Sequence, residues 1–425
     1  MIGRCLVSLW MLAVPVSPAV EPHWGTVPAP PVEDLVTEAL AHSPALAAAR
    51  AGLTGVRELE HPAAALPDPM VEAFVQNADF PHFTIGEEDM SMAGVEVRQP
   101  LPYPGKRQAR REVARAETAF RAAELARVER RLAAEVRTLY ARIYAIDSEL
   151  RALSPARELL DLMTATSTAR YAAGEADQEA VLKAQLQASR LEELVDDHHS
   201  SRVALVEELN RWLDRPSGTP LGEVSALPPV AVAAGSLDEI AAKASADVLV
   251  ASAEAVLAES RLATARLDLK PDLVPAAGLA TRGPLGPVLT LRFGVELPIW
   301  KERKQVPQIR AAEQEVERAR QELRDAEAVA RAEAARWSAD WIRAERQILR
   351  FREALVPQTS AAFDAARASY LAGRGDFSSV VEDFDLWLKA RVELARREAD
   401  RYMAWAALEQ LIGPGSDSAP QGELP

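Results

Sequence analysis

The chain carries one sequence pattern twice, and this internal repeat limits its possible folds more than any other feature. The run Tyr-Ala-Ala-Gly at 171–174 recurs as Tyr-Leu-Ala-Gly at 370–373, about 200 residues later. A Leu-Pro pair at 101–102 recurs in the same way at 297–298. Other matching positions are Val113 with Ile309, Glu117 with Glu313, Val181 with Val380, Leu209 with Leu408, and Leu213 with Ile412. The repeat predicts two structurally equivalent halves.

Both halves have the same predicted order of elements: a helix, two strands, a very long helix, a glycine turn and another long helix. The first half spans 20–213, with strands within about 70–101 and a helical hairpin at 106–213 that turns near 171–177. The second half spans 237–413, with strands within about 272–298 and a hairpin at 302–412 that turns near 370–376. The opening helices are predicted at 33–60 and 237–269. A proline-rich linker at 214–236 separates the halves, and a disordered tail is predicted at 414–425.

Long coiled-coil helices are the strongest physical prediction. One seam in the second half has a residue every seven positions, at Ile309, Val316, Leu323, Ala330, Trp337, Ala344 and Phe351, accompanied by Ala312, Ala319 and Ala326. The equivalent seam in the first half is Leu132, Val136, Leu139, Ile143, Ile146, Leu150 and Leu153. As one rod bent near Pro155, the helix from 106 to 172 is ~100 Å long at ~1.5 Å per residue. No compact domain contains such an element, and an aromatic content of only 5% also favours coiled coils over a mixed globular enzyme.

Alternation of apolar and polar residues predicts the strands. Between 288 and 297 the apolar positions are Leu289, Leu291, Phe293, Val295 and Leu297, and the positions between them are Thr290, Arg292, Gly294 and Glu296. A strand of a membrane barrel needs this pattern, because one face meets lipid and the other meets a wet lumen. The charged residues predicted to line the lumen are Glu96, Arg98, Arg292 and Glu296. A half-buried soluble sheet fits the same alternation.

Four strands cannot close a membrane barrel, since even small outer-membrane barrels need about eight strands. A chain that contributes four strands must therefore share its barrel with identical copies, and this predicts an oligomer. Tyr103 and Trp300 follow the second strand of each pair, where aromatic side chains suit the membrane interface.

The first 19 residues are predicted to be a secretory signal peptide. Arg4 precedes an apolar run at 5–16, and the small residues at 17–19 offer a cleavage site. The alternative is an ordinary buried N-terminal segment. Cys5 is the only cysteine and would leave with the signal, so the mature chain is predicted to contain no disulfide and no thiolate metal site. No later stretch reaches the ~20 apolar residues that a spanning helix needs.

Several functional classes are excluded by composition and motif. The net charge of −14 argues against nucleic acid as a partner, because phosphate neutralisation needs a basic face. The sequence contains no phosphate-binding glycine loop, nucleophile elbow or His-Glu-x-x-His helix, so we expect neither an enzyme nor a cofactor or resident metal. His198 and His199 are adjacent on a predicted helix, so they point about 100° apart and cannot chelate together. Both are predicted to be surface residues.

Together with the repeat, three local motifs resemble the TolC-type outer-membrane efflux family over nearly the whole mature chain. The first is Leu-Pro-Asp-Pro at 66–69, before the first strand. The second, Gln-Pro-Leu-Pro-Tyr-Pro-Gly-Lys-Arg at 99–107, contains the predicted barrel-to-helix turn residues Pro102, Pro104 and Gly105, with Pro298 in the second half. It is similar to the heavy-metal-efflux branch, although Pro-Gly-Lys serves equally well as a turn and helix start. The third is the pair of Tyr-x-x-Gly turns.

The resemblance implies a mainly α fold with a small β part, in which three copies form a helical tunnel and share a twelve-stranded transmembrane barrel. It places the two Tyr-x-x-Gly turns at the periplasmic tip, which narrows the channel and docks adaptor proteins. The candidate tip residues are Tyr171, Gly174, Asp177, Tyr370, Gly373, Arg374, Asp376, Glu382 and Asp383. A plain hairpin turn with solvated charges is the alternative for these residues.

The tip also departs from the family pattern. The family has a gating arginine two residues after the second turn glycine, whereas this chain has Gly375 there and Arg374 before it. Ser379 occupies the place of an expected acid, and Glu382 falls where a second acid is expected. The gating bonds of the family therefore cannot be transferred intact.

In function, the resemblance implies a passive conduit of a tripartite efflux system in the outer membrane of a Gram-negative bacterium, with its helices in the periplasm. The implied partners are further copies of the chain, outer-membrane lipid, a periplasmic adaptor and an inner-membrane pump of the RND type. Metal ions are the expected substrate and small toxic compounds the alternative. A periplasmic coiled-coil adaptor or tether would share the seams and the signal peptide but would not need two strand pairs. A cytoplasmic coiled-coil scaffold fits only if the first 19 residues are retained.

Overall fold

The structure is a computed structural model that describes residues 27–78, 84–85, 90–175, 177–232 and 235–413. The predicted signal peptide at 1–19 and the predicted tail at 414–425 lie outside the described residues. The fold class predicted for a single protomer is confirmed, because long helices make up most of the chain and one small antiparallel sheet accompanies them. Among the described helices, none combines enough length with enough apolar character to cross a membrane.

The two halves repeat the same order of elements. The first half contains α1 (Val32–His42), α2 (Pro44–Glu58), the short α3 (Glu60–Ala63), β1 (Met70–Gln76), β2 (Met92–Arg98), α4 (Lys106–Ala172) and α5 (Gln178–Leu213). The second half contains α6 (Leu237–Ala244), α7 (Ala246–Leu267), β3 (Asp272–Thr281), β4 (Pro287–Glu296), α8 (Gln305–Arg350), α9 (Val356–Leu371) and α10 (Phe377–Ile412).

Each opening helix is broken in two, which corrects the continuous helices predicted at 33–60 and 237–269. The breaks fall at Ser43 and Ser245, where ψ is 121° and 137° instead of helical. Pro44 explains the first break, because a proline disfavours the helical conformation in the residue before it. Ala246 follows the second break, so proline is not its cause. The matching position of the breaks is a further element of the repeat.

The long helices of the two halves accommodate an equivalent proline differently. Helix α4 contains 67 residues and continues through Pro155. In the second half, α8 leads into one π-helical turn at Phe351–Leu355, and Pro357 lies at the start of α9 directly after it. The run Ala-Leu-Val-Pro at 354–357 matches Ala-Leu-Ser-Pro at 152–155. A π turn adds a residue to the helix, and this insertion is confined to the second half.

Helix α4 joins the two halves. It packs against α5 of its own hairpin and against α7 and α10 of the second half. The predicted seam residues Leu132, Val136, Leu139, Ile143 and Leu153 are buried in these contacts. On α8 most buried residues are alanines, including Ala319, Ala330 and Ala344, and Val316 and Ile348 are buried with them. Small residues allow close approach of the helices, so the long hairpins pack side by side along their length.

All four strands form one antiparallel sheet in the order β1-β2-β3-β4. The two strand pairs meet where β2 runs beside β3, with Val95 opposite Leu279 and Val97 opposite Ala277. Strands β1 and β4 are the edges of this sheet in the single chain. Edge strands leave a row of backbone donors and acceptors without partners, so both edges are open to pairing with another chain.

Two clusters form most of the core. One lies where α1, α4, α5 and α10 meet the linker, whose Leu221 and Val224 are fully buried there. The other lies towards the hairpin turns, where aromatic side chains of the second half pack on α4 and α5. Those aromatic residues are Phe363, Tyr370, Phe377, Phe384 and Trp387.

Candidate functional sites at the tip and in the sheet

The two hairpin turns have the same backbone structure. Gly174 and Gly373 adopt φ of +74° and +72°, in the left-handed region that glycine reaches without strain. The amide of Glu175 donates to the carbonyl of Arg170 at 2.8 Å, and the amide of Arg374 donates to that of Ser369 at 3.0 Å. These are the six-to-one bonds of a Schellman motif, which ends a helix on a left-handed glycine. The sequence repeat is therefore also a repeat of structure.

The second turn is fastened to the first hairpin through Tyr370, a contact that we call the tip contact. The Tyr370 side chain is only 4% exposed, and its hydroxyl hydrogen-bonds with Oγ of Ser167 on α4 at 3.0 Å. Arg170 Nη1 donates to the carbonyl of Tyr370 at 3.0 Å, and the Arg170 guanidinium lies 4.9 Å from the centre of the Tyr370 ring. A further bond joins the hairpins, from Nζ of Lys183 to Oγ of Ser378 at 2.7 Å.

The structure separates the predicted tip residues into two groups. Tyr370 is held in the tip contact, whereas the equivalent Tyr171 is exposed. Asp177 and Asp376 are the residues directly before α5 and α10, and neither makes a side-chain cap. Arg374 and Glu382 are exposed, Asp383 is half-buried, and within the described part of the chain none of these three forms an ion pair.

Gly375 occupies a position in the second turn that leaves no room for a larger side chain. A Cβ atom at this position would lie 2.9 Å from Oγ of Ser369 and 3.1 Å from the backbone nitrogen of Tyr370. Both distances are shorter than ordinary contacts. The turn therefore has no room for an arginine at 375 unless Ser369 and the backbone move. In this chain Arg170, on the first hairpin, is the arginine that bonds to the second turn.

One face of the sheet carries a compact group of charges. Glu96 is 2% exposed, and its two carboxylate oxygens lie 3.2 Å from Nη2 of Arg98 and 2.6 Å from Nη1 of Arg292. Arg98 also lies 3.5 Å from Glu72. Glu296 is exposed, directly opposite Asp272, and Asp272 is paired with Lys106 at 2.8 Å. Three of the four predicted lumen residues are thus brought together, and Glu296 lies apart from them.

The opposite face of the sheet is apolar and uncovered. Its exposed side chains include Val71, Val75, Val95, Val97, Leu273, Leu279, Leu289, Leu291, Phe293 and Val295. Phe293 is 85% exposed, an extreme value for a large aromatic side chain. A soluble sheet buries its apolar face, so this one calls for an apolar environment outside the single chain.

The turn from sheet to helix in the first half is fixed by Asp272. Its Oδ1 accepts the backbone amide of Tyr103 at 2.7 Å and Nζ of Lys106 at 2.8 Å. Gly105 has φ of +98° immediately before α4, which explains why glycine stands between Pro104 and the helix. Leu101, next to Pro102, makes an isolated bridge with Leu273. Pro298 is half-buried at the equivalent point of the second half.

We expect Gly94→Ala to disrupt the junction between β2 and β3. An added Cβ would lie 2.5 Å from the carbonyl oxygen of Leu279 and 2.6 Å from Cβ of Ala280. We predict a loss of ~2–3 kcal/mol in the free energy of unfolding, measured by urea titration in detergent. Gly278→Ala is the matched control, because its nearest new contacts are 3.3–3.5 Å, and its expected loss is below ~1 kcal/mol. Equal losses in the two variants would contradict the register.

A buried ion pair holds the linker against the first hairpin, and sequence reasoning missed it. Arg202 on α5 and Asp147 on α4 are both buried, with Nε 2.5 Å from Oδ1. Arg202 also donates to the carbonyls of Leu221 and Gly222, and Asp147 accepts the amide of Val224 at 2.8 Å. The sequence did hold a signal of this burial. Asp147 lies four residues after Ile143, on the same face of the helix as the apolar seam, where a charged residue is unexpected.

Beside this pair lies a second buried ionic group, which corrects the prediction that His198 is a surface residue. His198 is 9% exposed, and its Nε2 lies 3.1 Å from Oε2 of Glu149. Arg396 of α10 donates from Nε to Oε1 of the same carboxylate at 2.6 Å. Glu149, on α4, therefore joins α5 to the second half. His199 is half-buried, and no group of metal-binding side chains is found among the described residues.

We expect the protein to lose stability in mild acid through His198. Burial lowers the pKa of this histidine, and the charge on Glu149 only partly opposes that effect. The unfolded chain therefore binds the proton first. Stability should fall as the pH drops below about 6.5, by at most ~1.4 kcal/mol per pH unit, until the folded state is also protonated. Unfolding of wild type and His198→Gln from pH 7.5 to 5 measures the difference. Parallel curves for the two proteins would contradict this assignment.

Comparisons with known proteins identify the fold. No protein-family model and no curated protein match the sequence. The outer-membrane channel OprN superposes with a TM-score of 0.78 at 16% identity, over 91% of this chain and 90% of OprN. The outer membrane protein VceC of Vibrio cholerae gives 0.75 at 17% identity, over 91% and 97% of the two chains. CusC, described for transmembrane channel formation, gives 0.75 at 15% identity, over 90% and 92%.

The chain therefore has the fold of a protomer of an outer-membrane channel: long helical hairpins joined to a small sheet with one apolar and one charged face. More particularly, this is the fold of the TolC-type outer-membrane efflux proteins, and the resemblance drawn from the two strand pairs and the two Tyr-x-x-Gly turns is confirmed at the level of fold.

Proposed function

We propose that the protein is the outer-membrane channel of a tripartite efflux system. The observation that carries this proposal is the sheet, whose uncovered apolar face lies opposite the paired charges of Glu96, Arg98 and Arg292. The apolar face can be covered by lipid and the charged face hydrated by water, as in a strand of a membrane barrel. The similarity in fold to OprN, VceC and CusC supports the same assignment.

The two open edges of the sheet support a closed oligomer. Strand β4 of one copy pairs with β1 of the next, because a membrane offers no water to satisfy an unpaired edge. Three copies with four strands each give a barrel of twelve strands, within the range of membrane barrels. The hairpins extend from the barrel into the periplasm as a helical tunnel that ends at the two glycine turns.

The channel acts as a passive conduit in this proposal, without catalysis or a cofactor. An inner-membrane pump of the RND type supplies the energy, and a periplasmic adaptor docks on the hairpin turns. The exposed Glu382, the half-buried Asp383 and the exposed Asp376 favour cations where the copies converge. This preference supports metal ions as the substrate, with small toxic compounds as the alternative.

Channel formation is tested by conductance in a planar bilayer with a matched pair of arginine variants. Phe293→Arg places a charge on the apolar face, where it costs ~2–4 kcal/mol at the middle of a membrane, and should abolish insertion. Thr290→Arg places the same charge on the opposite face of the same strand and should leave insertion intact. Wild type and Thr290→Arg should conduct, and Phe293→Arg should not.

The same experiment distinguishes the proposed channel from the alternative, a soluble adaptor. A periplasmic adaptor would not insert as wild type, and the two arginine variants would then behave alike. A well-folded oligomer that gives no current in the bilayer would overturn the channel proposal. Loss of cation preference in Glu382→Ala and Asp383→Ala would support the proposal that the acids at the tip select cations.

A further inference from the structure

The second sheet-to-helix turn, residues 299–304, differs from its counterpart in the first half in the contacts of its basic side chains. In the first half, Lys106 is buried against Asp272 and the carbonyl of Lys270, and Nε of Arg107 donates to the carbonyl of Ala64 at 2.7 Å. Both basic side chains of the first turn therefore bond to other groups of the same chain. In the equivalent turn of the second half, the basic side chains form no hydrogen bond or ion pair with the described part of the chain.

This outward turn combines bare aromatic and aliphatic surface with unpaired basic charge. Ile299 and Trp300 are 78% and 71% exposed, directly after the uncovered apolar strand β4. Lys301, Arg303 and Lys304 follow, all three exposed, and in the described part of the chain none of them forms an ion pair. The only acid in the turn is Glu302.

The turn also has a fixed backbone. The carbonyl of Trp300 accepts the amides of Arg303 at 2.9 Å and of Lys304 at 3.0 Å, and the amide of Val306 donates to the carbonyl of Lys301 at 2.8 Å. The three basic residues are therefore held within one tight turn at the start of α8. With three basic residues and Glu302, the turn carries a formal charge of +2 in a chain whose formal net charge is −14.

We infer that this turn, which we call the basic turn, binds the phosphate groups of anionic phospholipids in the periplasmic leaflet of the outer membrane. The inference rests on the proposed function, which puts the apolar face of β4 in lipid. Trp300 then lies at the membrane interface, the position that tryptophan favours. The basic side chains lie just beyond it, at the depth of the headgroups, where a lysine or arginine gains from a negative surface.

Two features of the basic turn fit phospholipid phosphate better than a protein partner. Its charges adjoin the lipid-facing surface without a gap in sequence, whereas the hairpin turns lie at the far end of α8 and α9. Three copies of the turn also form a ring of basic charge around the barrel, and a leaflet offers anionic headgroups on all sides.

Salt screens this attraction between the basic side chains and the headgroups. The Debye length is about 8 Å at physiological ionic strength.

The test compares two triple variants with the same change of charge. Lys301→Gln with Arg303→Gln and Lys304→Gln removes the basic turn. The control is Arg324→Gln with Arg346→Gln and Arg350→Gln, three exposed arginines of α8 that form no ion pair among the described residues. Arg324 lies about 30 Å along the helix from its start, at ~1.5 Å per residue, well beyond the headgroups.

Native mass spectrometry of the detergent-purified oligomer titrated with phosphatidylglycerol or phosphatidylcholine counts the bound lipid. We expect wild type and the α8 control to prefer phosphatidylglycerol, and the basic-turn variant to bind it at least about tenfold more weakly. Equal affinity of wild type for the two lipids, or undiminished phosphatidylglycerol binding in the basic-turn variant, would overturn the inference.

Conductance in phosphatidylcholine bilayers separates this inference from the proposed function. Currents in that lipid together with equal binding of both lipids would overturn the lipid site and leave the channel proposal standing. If the protein conducts in neither phosphatidylcholine nor phosphatidylglycerol bilayers, the channel proposal itself is overturned. Circular dichroism and the size of the oligomer establish that the basic-turn variant is folded, as expected for substitutions of exposed side chains.

Discussion

Arg202→Ala is expected to lower the free energy of unfolding by about 3–5 kcal/mol, the range typical of breaking a buried ion pair by removing one partner. The substitution leaves the Asp147 carboxylate buried without its counter-ion. It also removes the donors to the carbonyls of Leu221 and Gly222. A buried charge without a partner keeps its full desolvation cost, which accounts for the size of the effect.

The measurement is urea unfolding of the detergent-purified protein at one fixed protein concentration, because the stability of the proposed oligomer would depend on concentration. Arg343→Ala is the control. Arg343 pairs with Asp340 at 2.9 Å on one helix, but Arg343 is exposed and Asp340 only half-buried, so its loss should cost ~0–1 kcal/mol. Similar losses for Arg202→Ala and Arg343→Ala would show that the buried pair does not stabilise the fold.

A second readout tests the role of the pair in holding the linker. Leu221 and Val224 of the linker are buried where it packs on the helices. Gly222 also lies close to the start of the described chain, because an added Cβ would be 2.3 Å from the carbonyl oxygen of Val27. We expect Arg202→Ala to speed proteolytic cleavage within 214–232 under native conditions. Cleavage rates in the long helices should change little, because their seams are untouched.

Helix and strand positions could be predicted from the sequence because they depend on local periodicity. The heptad seam on α4 and the alternation along β4 place an apolar residue wherever an element meets its neighbour or apolar surroundings. The breaks at Ser43 and Ser245 escaped prediction because their flanking sequences remain apolar and helix-favouring. Only Pro44 marked one of them.

Pairings between distant charges could not be predicted, because periodicity says which face a residue occupies and nothing about its partner. His198 illustrates the limit: its neighbours in sequence are acidic or polar, and burial arises only when Glu149 and Arg396 come from two other helices. The tip contact is similar. The sequence singled out Tyr370 through its turn, but Ser167 and Arg170 lie about 200 residues away and carry no local motif.

For the channel proposed above, we expect the double variant Arg170→Ala with Tyr370→Phe to favour the open state at the end formed by the hairpin turns. Together the substitutions remove the hydroxyl bond to Ser167, the charged bond from Arg170 to the carbonyl of Tyr370, and the contact of the guanidinium with the ring. Such interactions contribute ~1, ~1.5–3 and ~0.5–1 kcal/mol respectively. Their loss removes the polar contacts that fasten the second turn to α4, whereas the apolar packing of the ring at 370 and the Lys183–Ser378 bond remain.

The size of the effect follows from the sum of these contributions. A change of ~3 kcal/mol per copy alters the ratio of closed to open states by about 100-fold, since 1.4 kcal/mol corresponds to a factor of ten. Single-channel recordings in planar bilayers should therefore change from small, brief currents in wild type to large, sustained currents in the double variant. Adding Lys183→Ala should increase the open fraction further, because it removes the bond to Ser378 as well.

Arg157→Ala is the matched control for the tip contact. Arg157 lies on the same helix but pairs with Glu192 of α5 at 3.6 Å, so it ties the first hairpin to itself and not to the second. Its loss should leave the currents unchanged, since the second turn remains bonded to α4. Currents that stay small in the Arg170 and Tyr370 double variant would show that the closed state is held by contacts between copies, with the exposed Arg374 as the first residue to substitute next. Equal opening in the Arg157 control would instead indicate general loosening of the hairpins.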